Sequence, residues 1–205
     1  MMPDSTLPAH VGADLERRGY CVVENFLDAD ATAALAGECI ALHARNQLRP
    51  AGVGHAGDRQ VDSRMRGDHT RWFDPEELTA AESAYWTAME TLRRSLNRRL
   101  LLGMDGFEAH YARYAAGTHY ARHQDRFRDD DARVLSSVLY LNLAWHDADG
   151  GALRLYLDAA VPDAHLDIYP RDGRLVLFLS ADFEHEVLPA ARERLSVAGW
   201  FRTAR

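Results

Sequence analysis

The chain is short of cysteine, of long apolar runs and of positive charge, and each shortage removes a class of protein. Two cysteines in 205 residues, Cys21 and Cys39, cannot build a disulfide framework and fit a reducing compartment. The longest apolar run, Leu175 to Leu179, is far below the roughly 20 residues that span a bilayer. The opening Met1-Met2-Pro3-Asp4-Ser5 has neither a basic n-region nor an apolar h-region, so no secretory signal and a cytoplasmic location are expected. Against 31 Asp and Glu stand 24 Lys and Arg, a formal charge of -7. That balance argues against a general phosphate-binding surface and against general nucleic-acid binding. Repeats and low-complexity segments are also missing. What is present, 47% hydrophobic and 27% charged residues, suits one soluble globular domain over residues 1–205 with a sizeable core.

The chain changes texture near its middle. Residues 1–105 read as mainly helical support and a lid region, with the first ten or so residues loose. A helix over Val11–Arg18 stops at Gly19, a usual C-cap residue, and Tyr20–Val23 is β-prone. Asp28 or Asp30 can cap the next helix, whose Leu35, Cys39 and Leu42 share one face. Glycines and mixed polarity from Arg49 to Asp62 indicate a long loop, and Arg66-Gly67-Asp68 reads as a turn beside a cleft. Between Glu82 and Leu102, Tyr85, Met89, Leu92, Leu96 and Leu100 form an apolar stripe, with Arg93, Arg94, Arg98 and Arg99 on a solvated face. After Gly106, eight short β-prone runs follow: Phe107–Tyr114, Thr118–His123, Val134–Asn142, Ala152–Tyr156, Leu166–Tyr169, Arg174–Leu179, His185–Leu188 and Arg194–Arg202. Turn signals at Asp147–Gly151 and Pro170–Gly173 separate some of them. The expected fold is mostly β with packing helices, around a double-stranded β-helix (jelly-roll, cupin-like) core over 106–205.

Chemistry concentrates in His123-Gln124-Asp125. Residues i and i+2 of a strand share a face, so this imidazole and carboxylate can grip one ion. With a second, distant imidazole they would form a facial triad that leaves the other positions of an octahedron open. The spacing is weakly specific alone, because His165-Leu166-Asp167 repeats it. That second pair reads as surface residues flanking a strand. His185, 62 positions after His123, is the candidate third ligand, on a later strand to which the chain can return after crossing between sheets. Arg194, nine positions further on, opens the last strand; a buried guanidinium there would take a planar carboxylate bidentately.

In the order and spacing of these pieces the chain resembles the 2-oxoglutarate/Fe(II)-dependent dioxygenases, and within them the prolyl hydroxylases that act on hypoxia-inducible factor. The resemblance runs from about Leu15 to Phe201. It is carried by Arg18–Leu27, Met65-Arg66-Gly67-Asp68 with Trp72, Tyr120–Asp125, Tyr140-Leu141-Asn142 with Trp145, Gly150–Arg154, and His185-Glu186-Val187 through Arg194 to Trp200. It implies that His123, Asp125 and His185 bind Fe(II), and that 2-oxoglutarate chelates the metal while its far carboxylate meets Arg194 and the Tyr140 hydroxyl. Tyr114 matches a tyrosine of the cosubstrate pocket, although the chain reads Tyr114-Ala115-Ala116 where relatives carry Pro-Gly and is one residue shorter there. Arg66, Asp68 and Arg133 match entrance residues near the substrate. Tyr140 and Trp200 could equally be core aromatics. The implied activity is oxygen-dependent hydroxylation of a prolyl residue coupled to conversion of 2-oxoglutarate to succinate and CO2, with ascorbate as an accessory cofactor. The implied partner is a protein with a target proline, a translation component being one candidate. Substrate-gated closure of the Arg49–Asp68 loop would protect the site.

Three other functions fit parts of the pattern. A related oxygenase could hydroxylate a small molecule or free amino acid, since loops set substrate choice. A nucleic-acid demethylase of the same superfamily would need a basic track, which the acidic balance lacks. A non-catalytic metal-binding jelly-roll sensor would have no need of the complete triad together with Arg194.

Overall fold

The computed structural model describes residues 10–52, 62, 64–125, 132–158, 160–161 and 163–204. The expected loose opening and half of the candidate lid lie outside the described residues. The chain begins with α1 (His10–Arg18), β1 (Tyr20–Val23) and α2 (Ala29–Ala44). Two short strands follow, β2 (Arg49–Pro50) and β3 (Asp68–Trp72), and then α3 (Ala80–Leu100). The remaining strands are β4 (Gly106–Tyr114), β5 (Tyr120–His123), β6 (Arg133–Tyr140), β7 (Leu153–Tyr156), β8 (His165–Ile168), β9 (Leu175–Leu179), β10 (His185–Val187) and β11 (Arg194–Arg202). They match the eight expected runs, with boundaries moved by one or two residues. No described helix is long and apolar enough to cross a membrane.

Strands β4, β6, β9 and β11 belong to a larger sheet of order β1-β9-β6-β11-β4-β3-β2, and β5, β7, β8 and β10 form a smaller one of order β5-β10-β7-β8. This four-on-four pairing is the jelly roll, and its named strand pairs are antiparallel. Period-two alternation assigns each residue to a layer. On β9, Leu175 and Leu177 face the helices, whereas Val176 and Phe178 face the smaller sheet, and all four are fully buried. Burial on both faces is why this strand is a continuous apolar run rather than an alternating one. The helix layer packs Leu35, Cys39, Tyr85, Met89, Leu92 and Leu96 against the outer face of the larger sheet. Both cysteines are buried and free.

Caps and ion pairs explain the details that hydrophobic pattern misses. Asp28 caps α2 by accepting from the Ala31 amide at 2.8 Å. Thr79 and Glu82 form a reciprocal capping box on α3, which satisfies two otherwise unpaired amides. Glu82 also accepts from Arg71 at 2.9 Å, so α3 is tied to β3. The expected turn at Arg66–Asp68 is corrected: the Met65 and Arg66 amides donate to the Asp62 carbonyl ahead of it, and Asp68 already opens β3, which pairs with β4. Arg93 does not lie on a solvated face. It donates to Glu90 and to the Met104 carbonyl, while Arg94, Arg98 and Arg99 are exposed.

The end of α3 offers a stability test. Leu101 is the C-cap at φ 54°, ψ 37° and its side chain is 86% exposed. A left-handed leucine costs roughly 1 kcal/mol that glycine avoids. Leu101→Gly is therefore expected to stabilise the protein by about 1 kcal/mol or less, read as a raised thermal midpoint. A lowered midpoint would contradict that account of the cap.

Candidate metal centre and its cleft

Between the two sheets lies a cavity of about 270 Å³. Its floor is the inward face of β11, where Arg194, Ser196, Ala198 and Trp200 alternate with the helix-facing Leu195, Val197 and Phe201. His123 ends β5, Asp125 follows it, and His185 begins β10, directly across from His123 in the strand register. The imidazole and carboxylate donor atoms of these three residues all lie within 4.8 Å of one another. Asp125 Oδ1 is 3.7 Å from His123 Nε2, and Asp125 Oδ2 is 3.6 Å from His185 Nε2. First-row divalent ions take such donors at about 2.0–2.2 Å, so one ion can touch all three. His165 and Asp167 sit on β8 instead, where Asp167 pairs with Arg154 at 2.7 Å.

The surroundings prepare each donor. His123 Nδ1–H donates to the Ala121 carbonyl at 2.8 Å, which leaves Nε2 unprotonated and aimed at the site. Burial, reinforced by His185, holds the His123 pKa below its ordinary value, so the ring is neutral and ready to bind a cation. Burial opposes ionisation of Asp125. His185, His123 and hydrogen bonds including one from Ser136 outweigh it and hold the carboxyl below its usual range. Ser136 Oγ donates to Asp125 Oδ2 at 2.7 Å and lies 2.8 Å from the Ser180 hydroxyl. Sequence reasoning missed Ser136, although its position on β6, two before Val138 and four before Tyr140, places it on the cleft face.

Further along the floor, Arg194 is 1% exposed. Its Nε donates to the Gly151 carbonyl at 3.0 Å and Nη1 reaches Ser196 Oγ at 3.3 Å. No carboxylate pairs with it among the described residues, whereas buried charges ordinarily have a partner. The rings of Tyr114 and Tyr140 each lie 5.1 Å from its guanidinium carbon. The Tyr140 hydroxyl is buried and unbonded, and burial raises its pKa, so it is a donor without an acceptor. A buried cation and a buried phenol with spare hydrogens together fit a carboxylate, and the two-imidazole, one-carboxylate set fits Fe(II) with open positions. Gly151, at φ +70°, frames this end: a Cβ there would lie 2.9 Å from Ala190 Cβ and 3.4 Å from Arg194 Cδ.

Of the residues expected at the entrance, Arg66 and Arg133 line the cleft, and Asp68 is buried behind Arg66. Arg66 and Asp68 form a bidentate ion pair at 2.6 and 2.9 Å. Arg133 lies 3.8 Å over the Trp200 ring and pairs with Glu108 at 2.9 Å. Trp200 lines the cleft, in a wall with Trp72 and His110, whereas Tyr140 is fully buried in the core cluster between the sheets, beside Arg194.

Comparison with known proteins agrees with this geometry. The family model of the 2OG-Fe(II) oxygenase superfamily matches residues 109–202. The hypoxia-inducible factor prolyl hydroxylase of Caenorhabditis elegans is 31% identical over 94% of the chain, and the chain spans 28% of that protein's length. A prolyl-4-hydroxylase structure from Pseudomonas putida is 45% identical with a TM-score of 0.84, covering 96% of this chain and 99% of its own. A prolyl hydroxylase from Trichoplax adhaerens, solved with a peptide of the oxygen degradation domain of hypoxia-inducible factor, is 28% identical with a TM-score of 0.82, covering 94% of this chain and 87% of its own. The chain belongs to the 2-oxoglutarate/Fe(II)-dependent oxygenase superfamily, in its prolyl-hydroxylase branch.

Proposed function

We propose that this chain is a protein prolyl 4-hydroxylase of the cytoplasm, acting on a target proline in a protein partner, with a component of the translation machinery as the candidate. The observation that carries the reading is the pairing, in one cavity, of the His123/Asp125/His185 cluster with a buried Arg194 that has no carboxylate partner among the described residues. His123, Asp125 and His185 would hold Fe(II) on one face and leave the other toward the cavity. Arg194 would clamp the far carboxylate of 2-oxoglutarate through parallel N–H donors, and Tyr140 would donate to the same group. Tyr114 closes the wall beside them. Bound Fe(II) supplies oxygen activation coupled to decarboxylation of 2-oxoglutarate to succinate and CO2. Leu153, Val138 and Val187 line the cavity and keep water from the reacting carbon. Arg66, Asp68 and Arg133 border the approach of the protein substrate. The peptide complex of the Trichoplax adhaerens enzyme supports a protein substrate over a free amino acid.

The test measures anaerobic Fe(II) and 2-oxoglutarate binding and then oxygen-dependent succinate formation. Lysate proteins are then searched for a prolyl residue heavier by one oxygen atom. Succinate with a modified prolyl peptide is expected. Succinate without a modified protein would favour a small-molecule oxygenase, and binding without turnover a sensor.

A further inference from the structure

We infer that Tyr120, with Arg66 and Asp68 behind it, is a positioning residue that holds the His123 imidazole in its metal-binding orientation. This rests on the reading of His123 as a metal ligand. The Tyr120 ring lies flat on the His123 ring, centroids 3.6 Å apart at 14°. Behind it, the Arg66 guanidinium carbon is 4.6 Å from the Tyr120 centroid. Arg66 cannot drift, because both its Nε and Nη2 donate to Asp68, whose side chain is fully buried. Backbone contacts join the same two segments: Arg66 bridges Tyr120, the Ala121 amide donates to the Met65 carbonyl, and the Gly67 amide donates to the His119 carbonyl.

His123 needs such support more than an interior residue would. β5 is a four-residue strand at the edge of the smaller sheet, and its register against β10 shifts between Tyr120 and His123. The hydrogen bond from Nδ1 to Ala121 fixes one axis of the ring. A ring can still rotate about that axis, and a face-to-face neighbour prevents it. On its other side His123 meets His185, with centroids 4.2 Å apart at 54°, an arrangement that does not define a plane. His185 is held differently, by the edge-to-face ring of Phe178 at 4.8 Å. The two imidazoles therefore have separate supports, and the one under His123 starts from the segment after Asp62. Arg66 and Asp68 would act on the metal as well as beside the substrate.

The test is anaerobic Co(II) titration of the full chain, without cosubstrate or protein substrate, followed by calorimetry and by visible absorption. Tyr120→Phe keeps the stacked ring and is expected to bind Co(II) within about 2-fold of the parent, whereas Tyr120→Leu should bind about 10- to 100-fold more weakly, as loss of an outer-shell partner does. Its Co(II) absorption bands should also shift, which a merely less stable protein would not show. Arg66→Met, which retains the aliphatic stem, should weaken Co(II) in the same direction and decides the matter if Tyr120→Leu does not fold. Parent-like affinity and bands in Tyr120→Leu, or in Arg66→Met where the leucine variant fails, would overturn the inference. His123→Ala separates the two layers of reasoning: undiminished Co(II) binding there would overturn the metal assignment itself.

Discussion

Asp125→Ala is expected to lose more than about 100-fold in divalent-metal affinity, exceeding what removal of an outer-shell partner costs, and with it oxygen-dependent succinate formation. An imidazole binds a metal in its neutral form, so Asp125 is the one donor of the three that brings negative charge to the ion, and it lies within 3.7 Å of both imidazole nitrogens. Two neutral imidazoles alone leave a dication in a cavity with no formal counter-charge at the site. The loss should be graded. Ser136→Ala leaves the carboxylate in place and removes its 2.7 Å hydrogen bond, along with the contact to Ser180, and is expected to weaken metal binding by about 10- to 100-fold. Calorimetric titration of the anaerobic apoprotein measures both. Equal affinities for the parent and Asp125→Ala would show that the ion sits elsewhere.

Arg194→Met should weaken 2-oxoglutarate binding by between about 30-fold and several thousand-fold, because truncating one partner of a buried charge pair costs roughly 2–5 kcal/mol. The same change should leave the ligand-free protein no less stable. Without cosubstrate, Arg194 is a buried cation that donates to the Gly151 carbonyl and the Ser196 hydroxyl and has no carboxylate partner among the described residues, and a buried charge without a partner is a net cost. Methionine keeps the apolar stem against Tyr114 and Tyr140 and removes the charge. Opposite signs on binding and stability mark a residue retained for its ligand. Thermal unfolding with and without 2-oxoglutarate reads both. The parent should gain about 2.7 kcal/mol at a ligand concentration 100 times its Kd, and the variant almost none. A variant that is much less stable yet binds 2-oxoglutarate normally would reduce Arg194 to a packing residue.

The jelly-roll half of the molecule was legible because its strands obey simple alternation. β11 sends Leu195, Val197 and Phe201 one way and Arg194, Ser196 and Trp200 the other, and β9 is apolar on both faces because both are covered. β3 was not legible. Asp68-His69-Thr70-Arg71-Trp72 has no hydrophobic period, since Asp68 is buried by its pairing with Arg66 and Arg71 is satisfied by Glu82. Polar burial of this kind depends on partners elsewhere in the fold, which no local pattern reveals. The same limit explains Arg93, whose partner carbonyl belongs to Met104 beyond the helix end. At the site, His123 and Asp125 are visible as a local spacing, but His185 becomes a partner only through the antiparallel register of β10 on β5. Ser136 carries no motif, and Tyr120, though it opens the Tyr120–Asp125 stretch, carries no sign of its role there. They are recognisable only once three dimensions put a hydroxyl on a carboxylate and a ring on a ring.

The apolar filling between the two sheets has a mechanical role that follows from where the site's parts are mounted. His123 and His185 ride on the smaller sheet, and Tyr140 and Arg194 on the larger. The gap between them is set by a shim of Leu153, Leu155, Val176, Phe178, Phe183 and Val187. Phe178 touches both sides of that gap, since it grows from β9 and meets the His185 ring. Slimming this shim by a few methylenes would let the halves settle closer or shear. The error would reach the reacting groups as misalignment before it reached the thermometer as unfolding. The interior of this protein is therefore part of its active-site ruler, and its tolerance is narrower than its chemistry, all hydrocarbon, would suggest.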